Sequence, residues 1–309
     1  MLSLKLKLTG CFRKRIGQVI LEKTANVATV VNKTGIIESQ FRTFPMEVLA
    51  GKDDMNVELK MNGIRFRFNF AKVYWNSRLS EEHERLVNNR FSPGDLILDG
   101  FCGVGPFAIR AAKKGCAVQA NDLNPESVAS LIDNAKLNKI KFKDFRELKR
   151  LHDAAPDRPE IGIIHAYNTD AREFLRFVLQ GLPPMAATTR SHIVMNLPAT
   201  APEFLDALIG AIPPDRSLPL VHCYCFSSGG DTSSRMADVQ QRIRGVLRLK
   251  ANQKLEMEVR DVRDVAPNRY MVCAHFVLPG YLGYPPEGST SADGQEEGSS
   301  NKKLKPNDT

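Results

Sequence analysis

Several features are missing from this 309-residue sequence. No apolar run approaches the roughly 20 residues that a membrane-spanning helix needs, so a helical membrane protein is excluded. The cysteines are Cys11, Cys102, Cys116, Cys223, Cys225 and Cys273. None form a C-x-x-C pair and no nearby histidine pair completes a zinc site, so all six are expected as reduced thiols of an intracellular protein. No internal repeat is visible. The first 21 residues contain no acid but carry Lys5, Lys7, Arg13, Lys14 and Arg15, a bias shared with mitochondrial presequences. Yet Leu2, Leu4, Leu6 and Leu8 alternate with Ser3, Lys5 and Lys7, and a period of two predicts a strand.

The composition is that of a soluble globular chain, 42% hydrophobic with a formal charge of +8. Residues 280–309 hold five acids against three lysines. The rest of the chain therefore carries an even larger positive excess, which suits a polyanionic partner or a solubilising surface. From about 283 onward Gly, Ser, Pro and charge dominate, and residues 281–309 are expected to be a disordered polar tail.

Residues 26–33 read as a strand and Pro45 to Leu49 as a short helix. Val57 to Phe70 reads as a hairpin turning at Asn62-Gly63, with Ile64, Phe66, Phe68 and Phe70 facing a core and Arg65 and Arg67 facing water or RNA. From about 81 the pattern becomes strand–helix alternation. Helices are expected at 81–90, 106–114, 125–138, 170–179, 202–210 and 234–249. Strands are expected at 95–99, 117–121, 161–166, 191–196, 219–226, 254–262 and 269–277. The fold class is α/β: a Rossmann-like, mostly parallel sheet with an antiparallel last strand and helices on both faces. A small N-terminal α+β domain (1–72) precedes the large domain (73–280). In the stretch 234–249, Met236, Val239, Ile243, Val246 and Leu247 form an apolar stripe, with Arg235, Arg242, Arg244 and Arg248 outside it. The basic stretch 141–160 and residues 181–190 look inserted.

Chemistry concentrates at strand ends. Leu96-Ile97-Leu98 runs into Asp99-Gly-Phe-Cys-Gly-Val-Gly-Pro-Phe107, a strand opening a helix through a glycine turn. Gly103 and Gly105 let the backbone approach a ligand. Nineteen residues past Gly103 stands Asp122, where a nucleoside ribose finds its hydroxyl acceptor. Pro106 replaces the dinucleotide spacing, and the motif resembles motif I of class I methyltransferases, which bind S-adenosylmethionine (AdoMet). Asp170 follows another strand, positioned to accept from an adenine amine, and Asn196-Leu197-Pro198-Ala199 ends the next. Strand ends converge on one edge of such a sheet, so Asp99, Asp122, Asp170 and Asn196 are expected to line one crevice. Ser80 is expected to cap the helix that follows it. Taken singly, the residues have plainer readings: Glu82 an exposed acid at a helix start, Arg42 a surface charge, His83 a packing residue, Asn196 a strand terminator.

Residues 16–279 resemble the archaeal and eukaryotic tRNA (guanine-37 N1)-methyltransferases. The likeness is carried by Val31 to Thr34, Phe41-Arg42-Thr43, Met46 to Gly51, Val73 to Leu79, Asp99 to Phe107, Asn121 to Pro125, Asn196 to Pro198 and Val262 to Asn268. The resemblance implies Arg42 and Glu82 as catalytic arginine and general base. It implies AdoMet contacts at His83, Asp122, Leu123, Asp170 and Ala171, with Asp99, Gly103, Gly105 and Asn196 completing the pocket. Asn196 would lie near the target guanine. It further implies a metal-free, monomeric enzyme acting on the tRNA anticodon loop, in the cytoplasm, the nucleus or the mitochondrial matrix. Ser77 replaces a proline common in the family. The separate N-terminal domain of eukaryotic members is not matched, and neither are the first 15 or so residues. Two other readings stay open: a wybutosine-pathway transferase that moves the aminocarboxypropyl group of AdoMet, and a non-catalytic tRNA-binding module.

Overall fold

The computed structural model describes residues 2–4, 10–35, 41–146, 157–183, 188–228 and 230–285. Gln40, most of the stretch 147–160, residues 184–187 and the tail beyond 285 lie outside the described residues.

Short runs of Val, Ile, Leu and Ala, buried on both faces, form the central strands. Chain order is β1 (Leu2–Leu4), α1 (Gly10–Lys23), β2 (Thr29–Lys33), β3 (Met46–Gly51), β4 (Asn56–Met61), β5 (Ile64–Asn69), α2 (Ser80–Arg90), β6 (Leu96–Asp99), α3 (Ala108–Lys114), β7 (Ala117–Asn121), α4 (Pro125–Leu137) and β8 (Lys141–Asp144). It continues through β9 (Ile163–Tyr167), α5 (Ala171–Gly181), β10 (Ser191–Met195), a 3-10 helix (Ala201–Leu208), β11 (Leu220–Ser227), α6 (Thr232–Val246), β12 (Glu258–Ala266), β13 (Arg269–Val277) and α7 (Gly280–Gly283). Eight strands make one sheet in the order β12-β13-β11-β10-β6-β7-β9-β8. Six of them are parallel, and β13 runs antiparallel to β11. The order reverses direction beside β6, so the crevice of a doubly wound sheet opens above the β6 carboxyl end.

Side chains alternate between the two faces. Ile97, Val118, Val194, Tyr224 and Cys273 pack under α2, α3, α4 and the β4–β5 hairpin. Leu98, Ile193, Cys223 and Ala274 pack under α5, α6 and the 3-10 helix. The hairpin turns at Asn62 (φ 48°) and Gly63 (φ 79°), two left-handed residues as a type I′ turn requires. Phe66 and Phe68 are buried, while Arg65 and Arg67 lie outside and pair with Glu58 at 2.7 and 2.8 Å. The free edge of β5 is covered by α4. Asn134 accepts from the Arg67 N–H (2.6 Å) and donates to the Val104 carbonyl (3.1 Å), and Asn138 accepts from the Arg65 N–H (2.9 Å) and donates to its carbonyl (2.7 Å).

Several expectations need correction. Pro45 to Leu49 is not a helix, because β3 pairs antiparallel with β2 and this ladder outweighs local preference. Helix α1, unread in the sequence, packs on that sheet, where β1 lies parallel to β2. Lys141–Asp144, at the start of the basic stretch 141–160, is an edge strand of the sheet. The element at 202–210 is 3-10, and the strand read at 254–262 runs from Glu258 to Ala266. The turn Pro267-Asn268, with Asn268 left-handed, fixes Ala266 opposite Arg269 and so pulls the strand toward the turn. Ser80 does not cap α2: Leu79 occupies the cap position without a side-chain bond, and the Ser80 hydroxyl has no partner among the described residues. Arg235 is buried against Asp261 (2.6 Å) rather than outside its stripe, because Asp261 and the Tyr270 ring offer it an ion pair and a cation–π face.

Candidate active site

The register brings the predicted polar residues to one rim. Asp99 pairs with Ala120 on one side and Val194 on the other, and Asn121 pairs with Tyr167. Asp122, Asn196 and Asp170 therefore follow within four residues of the row that holds Asp99. Asn121 ties the loops together: its Nδ2 donates to the Thr169 carbonyl (3.0 Å) and its Oδ1 accepts from the Thr169 N–H (3.0 Å).

The two glycines of the turn have different duties. Both are left-handed, at φ 52° for Gly103 and 94° for Gly105. A Cβ on Gly103 would meet nothing within 4 Å among the described residues, so this residue faces open space. A Cβ on Gly105 would stand 2.5 Å from a Leu131 methyl. Gly105 is thus packed against the Leu131 and Ile109 side chains.

Asp122 is half-buried. Its Oδ2 accepts from the Gly103 N–H (2.8 Å) and its Oδ1 from the Asn124 N–H (2.9 Å), which draws the two loops together. A carboxylate has about four acceptor sites, so capacity remains for hydroxyls. Burial pushes its pKa up to about 6, against the two backbone hydrogen bonds. Asp99 is fully buried, and neither carboxyl oxygen makes a hydrogen bond of good geometry among the described residues. Burial pushes it up to about 8; the Phe101 N–H opposes the rise and Asp122 adds to it. Leu123 is exposed, Ala171 is buried, and Asp170 caps α5 by accepting from the Arg172 N–H (2.8 Å).

Asn196 ends β10 half-buried, with a buried Oδ1 that has no partner among the described residues. The carbonyls beside it are already engaged: Leu197 accepts from Thr200 and Ala201, and Pro198 from Phe226. His83 packs edge-on against Phe107, ring centroids 4.7 Å apart. Burial, then Arg110, pushes its pKa down to about 3, so the imidazole is neutral, and its buried Nε2 has no partner among the described residues.

Glu82 is not an exposed acid but a buried one, and its partners were invisible in the sequence. Arg85 grips it in a fork, Nε to Oε2 and the terminal nitrogen to Oε1, each 2.7 Å. The Tyr224 hydroxyl donates to Oε1 (2.9 Å) and Arg260 to Oε2 (2.8 Å). Burial alone would raise its pKa, but the Arg85 hydrogen bonds and charge, Tyr224 and Arg260 together hold it below the usual glutamate value. Tyr224, Cys273 and Arg260 form one row across β11, β13 and β12. Because Met195 pairs with Cys223, Asn196 ends its strand beside Tyr224, and Glu82 and Asn196 share a rim.

Arg42 lies on the segment leading into β3 in a left-handed conformation (φ 57°), its guanidinium 5.7 Å from the Tyr74 ring centroid. Burial lowers its pKa, with Tyr74 opposing and Arg269 reinforcing the shift. Arg269 in turn stacks on Phe226, 4.3 Å from the ring centroid, and the Phe226 N–H bonds Pro198. Arg42 is thus linked to Arg269 only by mutual repulsion, and Arg269 by its ring partner to the loop after Asn196.

This sheet order, the glycine turn at the carboxyl end of its first central strand and the acid after the second define a methyltransferase domain of class I. Residues 57–183 match the TRM5/TYW2 methyltransferase domain and residues 2–54 the TYW2 N-terminal domain. The second match reaches into the first 15 residues, which the motif resemblance leaves unmatched. The chain thus contains a TRM5/TYW2 methyltransferase domain. It is 46% identical to a tRNA (guanine(37)-N(1))-methyltransferase of Danio rerio over 87% of this chain and 52% of the relative. One of that name from Phytophthora infestans is 43% identical over 91% of this chain and 61% of its own. The chain thus spans about half to three-fifths of these relatives. Among solved structures, wild-type Trm5b from Pyrococcus abyssi superposes with a TM-score of 0.65 at 29% identity, covering 89% of this chain and 71% of its own. A complex of aTrm5 with tRNALeu superposes with a TM-score of 0.65 at 25% identity, covering 90% and 69%.

Proposed function

We propose that the chain methylates N1 of guanosine-37 in the tRNA anticodon loop, with AdoMet as donor. The observation that carries this reading is the meeting, at one sheet rim, of an open glycine turn with a buried ionised carboxylate and an asparagine whose buried oxygen has no partner among the described residues. The residues present fit AdoMet. Gly103 offers open space, Asp122 retains acceptor capacity, and the buried oxygens of Asp99 await a polar neighbour, as buried polar groups do. Leu123, Asp170 and Ala171 line the adenine side. When bound, AdoMet supplies an electrophilic methyl group.

The chain's own residues do the rest. Guanine N1 bears a proton and is a poor nucleophile until a base removes it; Glu82 takes that proton on a carboxylate oxygen. Negative charge then develops on O6, where the Arg42 guanidinium stabilises it. Asn196 holds the base edge, and in-line placement supplies much of the remaining rate. An open anticodon loop presents its bases with little unstacking cost.

Transfer of labelled methyl from AdoMet to transcripts differing only at position 37 tests the reading. Label is expected on guanosine-37 alone. Glu82→Gln is expected to lower turnover by about a hundredfold or more and Arg42→Ala by a similar factor, while AdoMet binding persists. Equal loss of AdoMet affinity in both variants would refute these roles. The match of residues 2–54 to a TYW2 domain supports a second reading, transfer of the aminocarboxypropyl group. The mass of the product RNA separates the two, since one methyl is far lighter. Tight tRNA binding without any label transfer would mark a non-catalytic module.

A further inference from the structure

The Glu82 carboxylate has no acceptor site to spare. It receives two bonds from Arg85 and one each from Tyr224 and Arg260, and four lone-pair positions are about all a carboxylate owns. A base engaged in this way cannot also receive a proton from a nucleotide, so one donor has to leave first. Arg85 is held by its fork and sits three residues along the same helix, its side chain 19% exposed. Tyr224 is fully buried between Phe107 and the sheet. Among the described residues Arg260 makes a single bond, its side chain is 40% exposed, and it stands on the sheet's edge strand just before the register slips between Asp261 and Arg263. It is the donor free to move.

A guanidinium that gives up a carboxylate needs another anion, and the phosphate of an incoming nucleotide offers the same planar, forked recognition. We propose that Arg260 is an exchange switch: it blocks Glu82 at rest and moves to an RNA phosphate when the acceptor nucleotide arrives, freeing the base only in the loaded site. This rests on the reading of the chain as a tRNA-modifying enzyme and adds a positioning residue to it. No bond is made or broken in the exchange itself; one ion pair replaces another.

The test is a double-mutant cycle on equilibrium binding of a tRNA transcript with guanosine at position 37, with AdoMet omitted. Because Glu82 and phosphate compete for Arg260, Glu82→Gln is expected to tighten binding by about fivefold. Arg260→Ala is expected to weaken it by about as much. In the Arg260→Ala background, Glu82→Gln is expected to change nothing, since the contested cation is gone. A general loss of repulsion would persist in both backgrounds, so equal effects of Glu82→Gln with and without Arg260 overturn the switch. So does an unchanged affinity in the Glu82→Gln single variant. Should Glu82→Gln fail to fold, the salt dependence of Arg260→Ala decides: its slope is expected to be shallower than wild type by about one ion, and an unchanged slope refutes the exchange. A wild-type chain that binds no tRNA sinks the functional reading and the switch with it. A wild-type chain that binds and methylates tRNA, yet shows an additive cycle, sinks the switch alone.

Discussion

Replacing Glu82 by alanine leaves two arginines and a tyrosine pointing at an empty, buried spot. Removing one partner of a buried pair costs about 3–5 kcal/mol when all members are enclosed. Arg260 is partly in solvent, so the expected loss is near the lower end, about 3 kcal/mol, read as a lower urea midpoint. Glutamine keeps an acceptor and is expected to cost less. The glycine turn gives a second contrast. Gly105→Ala is expected to destabilise by about 2–4 kcal/mol, because left-handed strain adds to the clash with Leu131. Gly103→Ala carries the strain alone, about 1–2 kcal/mol, and its methyl points into the open crevice. Calorimetry is expected to show the larger loss of AdoMet affinity at Gly103 and the larger loss of thermal stability at Gly105. The turn and its acid were legible because they are local patterns. The setting of Glu82 was not, because Tyr224 and Arg260 are 142 and 178 residues away in sequence. Tyr224 in particular reads as one more apolar member of its strand.

At the scale of elements, the strands that alternate with helices were legible from periodicity. The strand at 46–51 was not, since it is held by a ladder to β2 that no local preference announces. The sheet also hides a polar row. His192 Nε2 lies 3.2 Å from Asp95, His192 Nδ1 lies 3.0 Å from His222 Nε2, and His222 Nδ1 lies 2.8 Å from His275 Nδ1. Neutral rings that each donate toward Asp95 satisfy the whole chain of contacts with one set of tautomers. Burial lowers the pKa of all three, His275 to about 4. An unfolded histidine binds protons near pH 6.5, so below that value the unfolded chain holds protons that the folded one refuses. The stability from these rings is complete above about pH 6.5 and drains away as pH falls toward 4. Urea unfolding at stepped pH is expected to show midpoints dropping across that window, with a gentler slope in a His222→Gln variant.

Across the whole molecule, a formal charge of +8 favours a polyanion. If binding uses about six phosphate contacts, tRNA affinity is expected to fall about a thousandfold between about 50 and 200 mM salt. A flat salt response in a filter-binding titration would argue against the polyanionic partner. No helix among the described residues is long and apolar enough to cross a membrane.

The two asparagines of α4 have a consequence beyond stability. By occupying the backbone groups of Arg65 and Arg67, they act as a stand-in for a neighbouring strand. Without them, a two-stranded ribbon would present a bare rim of donors and acceptors, an invitation to lateral stacking with other copies. The paired change Asn134→Ala and Asn138→Ala is therefore expected to yield a chain whose light scattering grows with concentration, where the parent stays constant.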